Sequence, residues 1–414
     1  MPYPRTARSA AALVAAIGLL APAAADADSL RSKLASRMRP AGSFSGAYVY
    51  NATDGRAVFR WNDRRARILA SNTKLFTTAT ALTRYGPDGT LGTEVLGSGS
   101  QDPLGVWHGD LFLRGGGDPT FGSRRFVRRN YGSGATVETL ADRVKEAGVQ
   151  KVTGRIYGDE SRFDSLRGGP GSRYGTSVWV GPLSGLSFNR GLASSSGSSF
   201  QNRPALFAAR RLNAALKRRG VRVAKGPHSG RTPPFASVLA RVDSPQMERL
   251  IQLTNKPSDN FFAEMLIKDV ALQATGRGTT RRGAQIAARF ARQVGSRARL
   301  VDGSGLSRSD RASPYRVTRL LLAMERRQEF DAFFASLSMA GRDGTLVHRM
   351  RRGPARGRCH GKTGTLSNVS ALSGYCTARS GDVYAFSILM NGVNPPAARR
   401  LQDGIAQAIA GVRG

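Results

Sequence analysis

Acidic side chains are scarce in this chain: 28 Asp and Glu stand against 63 Lys and Arg over 414 residues, a formal net charge of +35. Such a field attracts polyanions. Lysine is scarce too, 9 of the 63 basic residues, so the charge is mostly arginine. The basic pairs Arg124-Arg125, Arg128-Arg129 and Arg218-Arg219 are scattered and no aromatic-interleaved module accompanies them, which speaks against a specific nucleic-acid partner. The four histidines, at 108, 228, 348 and 360, show no HExxH or related spacing, which excludes the usual zinc hydrolases. No metal or organic cofactor is expected.

Long apolar runs are also missing. The longest candidate is Ala10 to Leu20, preceded by Arg5 and Arg8 and followed by small residues at Ala23-Ala24-Ala25 and Ala25-Asp26-Ala27. Charged start, short apolar core and small-residue cleavage site are the three parts of an export signal, placed here at 1–27. Eleven apolar residues fall short of the roughly 20 that span a bilayer, and later candidates are broken by polar residues. The expected product is secreted, extracellular or cell-wall-associated (periplasmic where an outer membrane exists), without a transmembrane anchor after cleavage. Anionic cell-envelope polymers then suit the basic charge better than nucleic acid. In an oxidising compartment the only two cysteines, Cys359 and Cys376, are expected to pair: a hairpin turning at Ser367-Asn368 sets them opposite one another.

Periodicity and turn signals divide the rest. A helix over 29–38 precedes two strands, SGAYVYNAT and RAVFRWND, turned at Asp54-Gly55. Leu75, Ala79 and Leu82 recur at helical spacing within a helix expected over Ala70 to Leu82. From about 91 to 246 the chain changes character: a strand at GDLFLRGG, a helix near 137–147, a strand at 151–157, a helix near 204–219 and a strand VRVAKG. This reads as an inserted module of two subdomains, between 29–90 and 247–414, which fold together. The later flank has helices at 247–254, 261–274, 283–294, 314–324 and 328–337. Strands at 361–366, 370–377 and 383–390 and a helix over 396–410 follow. The expected fold class is α+β, a mainly antiparallel sheet flanked by helices, with a large insertion.

Three short polar motifs carry chemistry. In Ser71-Asn72-Thr73-Lys74 the serine and lysine lie three apart, on one face of a helix. A lysine amine accepts a serine proton once burial or a neighbouring positive charge lowers its pKa, and Lys362 offers such a charge. Downstream, Ser258 of Ser258-Asp259-Asn260 is placed to relay a proton between Lys74 and a leaving nitrogen, and Asn260 to bind a substrate amide. On an extended strand, Lys362, Thr363 and Thr365 would hold a substrate carboxylate, with the backbone N–H groups of Ser71 and Thr365 facing the developing oxyanion. Asp302 to Gly305 and Asp343-Gly344 read as turns. Arg308 and His360 are neighbours without an argued role.

SxxK, SxN and KTG in this order resemble the penicillin-recognising serine enzymes. More narrowly the chain resembles the D-alanyl-D-alanine carboxypeptidase/endopeptidase family S13, the low-molecular-mass class C penicillin-binding proteins. The likeness rests on ASNTKLFTTATAL, FLRGGGDPTF, GDESRF, KPSDNFFAEML, VDGSGLSR, GRDGTLVHRM and GKTGTLSNVSALSGY. It implies a transpeptidase-like fold, Ser71 as acyl-ester nucleophile and Lys74 as its base, with Ser258, Asn260 and Lys362 completing the cleft. The expected reaction is cleavage of peptidoglycan stem peptides between two D-alanines, with DD-endopeptidase action on cross-links, and β-lactams as covalent inhibitors. It further implies that Asp159 of GDESRF, with Phe163 nearby, receives a diaminopimelate ammonium. A serine β-lactamase, disfavoured by the long insertion, and a catalytically inactive cell-wall-binding protein are the competing expectations.

Overall fold

The computed structural model describes residues 21–194, 197 and 199–414. The charged start and apolar core of the expected export segment lie outside the described residues. Among the described residues no helix is long and apolar enough to cross a membrane. The first described helix is Ala21–Met38, longer at its start than the 29–38 expected.

The flanks of the chain build one six-stranded antiparallel sheet, in the order Ser338–Met339, Cys359–Leu366, Val369–Thr377, Val383–Asn391, Ser45–Asn51 and Arg56–Trp61. The early hairpin thus joins the late strands, with Tyr48 opposite Ser387. Because successive side chains in a strand point to opposite faces, the sheet feeds two cores. Leu372, Phe386 and Ile388 pack with Leu34 of the first helix and Ile405 of the last. Ala371, Tyr375 and Leu389, on the other face, pack against the helical layer that contains Phe76, Leu250, Leu266 and Leu321. At the centre of that layer runs Asn260–Thr275, buried continuously from Phe261 to Ala271, as a helix apolar on most faces requires.

Between Tyr85 and Met247 the chain leaves this layer and forms a second sheet with its own core. Gly92–Gln101 pairs antiparallel with both Ser237–Asp243 and Val106–Arg114. Lys151–Val152 and Ile156–Asp159 then run parallel to Val106–Arg114. Helices Val137–Glu146 and Pro204–Lys217 cover the sheet through Leu140, Val144, Leu212 and Leu216. The single strand expected at 151–157 is interrupted because the Asp110 carboxylate takes the Arg155 N–H (2.8 Å), a side-chain bond that competes with the ladder. VRVAKG contributes only Arg222–Val223.

Cys359 and Cys376 stand opposite each other, Leu366 faces Val369, and the turn falls at Ser367-Asn368. The disulfide is formed, cross-linking the strand that carries Lys362 to its neighbour Val369–Thr377. Replacing both cysteines with serine should lower the melting temperature by roughly 2–5 °C, for a loss of about 2–4 kcal/mol. Scanning calorimetry checks this. An unchanged melting temperature would remove the cross-link from the account of this strand pair's stability.

Candidate active site

Ser71 does not open an α-helix directly: Ala70–Asn72 is a 3₁₀ turn and the α-helix runs Thr73–Tyr85. Tightening the first turn still leaves Ser71 and Lys74 on one side, and the Lys74 ammonium nitrogen donates to Ser71 Oγ at 3.0 Å. Its other two partners are Asn260 Oδ1 (2.7 Å) and the Ser304 carbonyl (2.8 Å). Lys74 is wholly buried. Burial lowers its pKa from the ordinary lysine value to about 8, against the pull of carboxylates led by Asp259 and Asp302. Of the two causes expected from the sequence, burial or a neighbouring positive charge, burial is the one that lowers this pKa.

Lys362 lies on the Cys359–Leu366 strand, and its Nζ donates to Ser258 Oγ (2.8 Å) and to the Thr363 carbonyl (2.9 Å). The amine facing Ser258 is thus that of Lys362, whereas the sequence had placed Lys74 there. Burial and the Lys74 charge hold its pKa well below the ordinary lysine value. An arriving carboxylate would favour the ammonium form again. Asn72 fastens the first motif to this strand by donating from Nδ2 to the Lys362 carbonyl (2.9 Å). Gly364 completes the seam: a Cβ there would sit 3.1 Å from Ser71 N and 3.0 Å from the Leu69 carbonyl. A side chain there would be crowded on both sides and would push the strand a few tenths of an ångström from the Ser71 N–H.

The other members are less enclosed. Ser258 is half-buried with φ of 62°, and Ala70, just before the nucleophile candidate, has φ of 47°. Left-handed conformations in non-glycine residues cost on the order of 1–3 kcal/mol and gather at working sites. Asn260 begins its helix and donates from Nδ2 to the Trp179 carbonyl (3.2 Å), so the inserted module reaches the rim. Asp259 caps that helix through the Phe262 N–H and pairs with Arg190. Thr363 Oγ1 donates to Thr345 Oγ1 (2.8 Å), while exposed Thr365 accepts from Arg399 (3.1 Å). The structure therefore brings Ser71, Lys74 and Asn260 into one hydrogen-bonded set and Ser258 and Lys362 into a second, with the two amines close enough to interact by charge and the Lys362 strand along the edge.

Asp159 stands apart from that group. It ends the Ile156–Asp159 strand, is 1% exposed, and accepts from the Ser161 N–H (2.8 Å), the Thr232 N–H (2.8 Å) and the Thr232 hydroxyl (2.5 Å). Burial pushes its pKa up, but these hydrogen bonds outweigh it and hold the acid below the usual carboxylate value. Arg308 donates to Ser367 and Asn368, bracing the turn after the Lys362 strand. His360 is stacked on Phe334 (centroids 4.2 Å apart) and its pKa is lowered to about 4 by burial, so it stays neutral. Among the described residues no group of three His, Cys, Asp or Glu side chains is placed to hold a metal ion.

The turn expected at Asp302 to Gly305 forms the floor of the site, and what sequence reasoning missed is the carboxylate beneath it, Glu264. Glu264, fully buried, accepts the N–H groups of Gly303 (3.1 Å) and Ser304 (2.9 Å), and Asp302 accepts those of Gly305 and Ser307. Together they fix the turn whose Ser304 carbonyl receives Lys74. Burial raises the Glu264 pKa to about 7. A carboxylate inside the otherwise apolar run FFAEML was the available signal. Glu264→Ala should strand two buried N–H groups at about 1–3 kcal/mol each and loosen the Lys74 cradle, whereas Glu264→Gln keeps an acceptor and should fall well short of that. Denaturant melts with acylation rates compare the two, and equal losses would contradict this role.

Chemically, the group offers a hydroxyl beside a neutralisable amine, a second hydroxyl beside another amine, and backbone N–H groups at the strand edge, the parts of an acyl-transfer centre. The model of the D-Ala-D-Ala carboxypeptidase 3 (S13) family matches residues 28–196 and 189–412. A D-alanyl-D-alanine carboxypeptidase of an Actinomadura species is 30% identical over 451 positions, covering 89% of this chain and 81% of that protein. Carboxypeptidase DacB of Mycolicibacterium smegmatis is 32% identical over 349 positions, covering 79% and 72%. The crystal structure of penicillin binding protein 4 from Haemophilus influenzae shares the fold, with a TM-score of 0.76 at 20% identity over 90% of this chain and 97% of that one. With nearly its whole described length matched in this way, the chain belongs to the D-Ala-D-Ala carboxypeptidase 3 (S13) family of serine-type peptidoglycan hydrolases.

Proposed function

We propose that this protein is an exported serine D-Ala-D-Ala carboxypeptidase, with DD-endopeptidase action on cross-links, working through an acyl-enzyme on Ser71. The observation that carries this reading is the 3.0 Å hydrogen bond between Ser71 Oγ and a buried lysine whose pKa is lowered to about 8. Neutral Lys74 takes the Ser71 proton as Oγ attacks the carbonyl between two D-alanines. Charge on the carbonyl oxygen is met by the N–H groups of Ser71 and Thr365. Collapse breaks the C–N bond, the leaving amine takes its proton from Ser258, Lys362 replaces that proton, and the one that Lys74 took from Ser71 restores Lys362, so that Lys74 is neutral again for the water step. Water then cleaves the ester. Lys362, Thr363 and Thr365 hold the terminal carboxylate, and Asn260 binds the stem-peptide amide.

The segment 91–246 acts as the inserted module in this reading, and the segment 1–27 as the export signal. Anionic envelope polymers are the partners of the basic surface. For Asp159, the resemblance proposes a diaminopimelate ammonium. Support comes from its ionised state and its place beside a cavity of about 610 Å³ that also carries Glu160 and Asp164. Incubating the protein with purified cross-linked peptidoglycan and weighing the products separates the activities. Free D-alanine reports carboxypeptidase action, and loss of dimeric muropeptides reports endopeptidase action. Rapid penicillin turnover with neither product would replace this reading with a β-lactamase.

A further inference from the structure

Behind the second motif lies a cavity of about 660 Å³. It forms where the module helix Arg124–Tyr131 meets the helices Met247–Asn255 and Asn260–Thr275, and Pro257 and Asp259, on either side of Ser258, supply part of its wall. Its floor is aromatic: Tyr131 packs edge-on against both Phe126 (5.9 Å) and Phe262 (5.4 Å). Three guanidinium groups line it, those of Arg125, Arg129 and Arg190. Arg190 is committed, paired with Asp259 and lying 5.0 Å from the Phe261 ring centroid. Asp259 is the only carboxylate of the lining. Arg125 and Arg129, one helical turn apart, make no ion pair with any described residue.

The cavity is held in shape independently of these two arginines. Asn189 and Arg190 both take left-handed backbone angles (φ of 50° and 62°), and Asn189 Oδ1 accepts the Ser123 N–H (2.9 Å) at the start of the arginine-bearing helix. Two uncommitted cations over an aromatic floor suit a ligand that has both a carboxylate and an aliphatic body, since guanidinium groups pair well with carboxylates. A phosphodiester polymer brings the charge without the apolar body, and a free amine would be repelled.

We propose that this cavity is a second stem-peptide site, binding a carboxylate-bearing aliphatic peptide such as a neighbouring peptidoglycan stem presents. It rests on the peptidoglycan reading above. The test compares the intact chain with its Arg125→Gln/Arg129→Gln variant by calorimetry at fixed ionic strength. Three probes are used: a tetrapeptide muropeptide, which has no D-Ala–D-Ala bond to cleave; the same muropeptide with its carboxylates amidated; and polyglycerol phosphate.

The double substitution should weaken binding of the acidic muropeptide about tenfold or more. Amidation should cost a similar factor in the native chain and much less in the variant. Undiminished discrimination between acidic and amidated forms in the variant would overturn the proposal. So would arginine-dependent binding of polyglycerol phosphate alone, which would make this a polymer site. Acylation by a fluorescent penicillin should be unchanged in the variant, and a parallel fall there would also overturn it. A native chain that penicillin does not acylate would instead strike the reading on which the proposal rests.

Discussion

Replacing Ser71 with alanine should reduce D-alanine release from a D-Ala–D-Ala peptide by roughly 10⁴-fold or more and abolish the covalent penicillin adduct. The size of the effect follows from what is removed. Among the described residues only Ser71 Oγ stands within hydrogen-bonding reach of the buried Lys74 amine as a nucleophile, and the second hydroxyl, Ser258, is paired with Lys362. Folding should barely change. Lys74 keeps Asn260 and the Ser304 carbonyl as partners, so the lost oxygen does not leave an isolated buried charge. A melting temperature near that of the native chain, together with lost turnover, would separate chemistry from stability. Full turnover in the alanine form would move the nucleophile elsewhere.

Lys74→Met should cost roughly 10²–10⁴-fold in acylation rate, the usual worth of a positioned general base. Lys74→Arg should do no better, because a guanidinium does not give up its proton at working pH. The native pH profile carries the same information. With the lysine pKa lowered to about 8, only the neutral amine accepts the Ser71 proton. Acylation should therefore rise as pH climbs through about 8 and level off above it, and at pH 7 about a tenth of the molecules hold the base form. Stopped-flow acylation from pH 6 to 10 measures this. A rate that falls across that range, or stays flat, would contradict Lys74 as the base.

Much of this site was legible because its chemistry is carried by short motifs with strong local constraints. The register that sets Cys359 opposite Cys376 follows from a turn at Ser367-Asn368 alone, and the structure has it. The helices around Phe261, Pro314 and Pro395 also lie within a few residues of their expected positions. Gly92–Gln101 was not legible. Its second half, GSGSQ, has the composition of a loop, and it is held as a strand by pairing on both sides with Val106–Arg114 and Ser237–Asp243. The Arg124–Tyr131 helix was hidden too, because its four arginines mask the Val127 and Tyr131 contacts that bury it.

Which amine serves which hydroxyl likewise required the fold. Three-residue spacing ties Lys74 to Ser71, but nothing local says that Lys362, 104 residues beyond Ser258, donates to it. The same holds for Glu264 and Asp302, whose task is to hold the turn that presents the Ser304 carbonyl to Lys74. Buried carboxylates that act through backbone N–H groups leave no motif behind. Their effect appears only when burial and hydrogen bonding are counted together.

The most direct test is to trap the covalent intermediate. Benzylpenicillin is mixed with the native chain, digestion follows acid quench, and the modified peptide is sequenced by mass. An adduct of the penicilloyl mass on Ser71, absent from the Ser71→Ala form, is the predicted result. An adduct on Ser258 or any other residue, or no adduct under conditions where the protein releases D-alanine, would contradict the acyl-enzyme on Ser71.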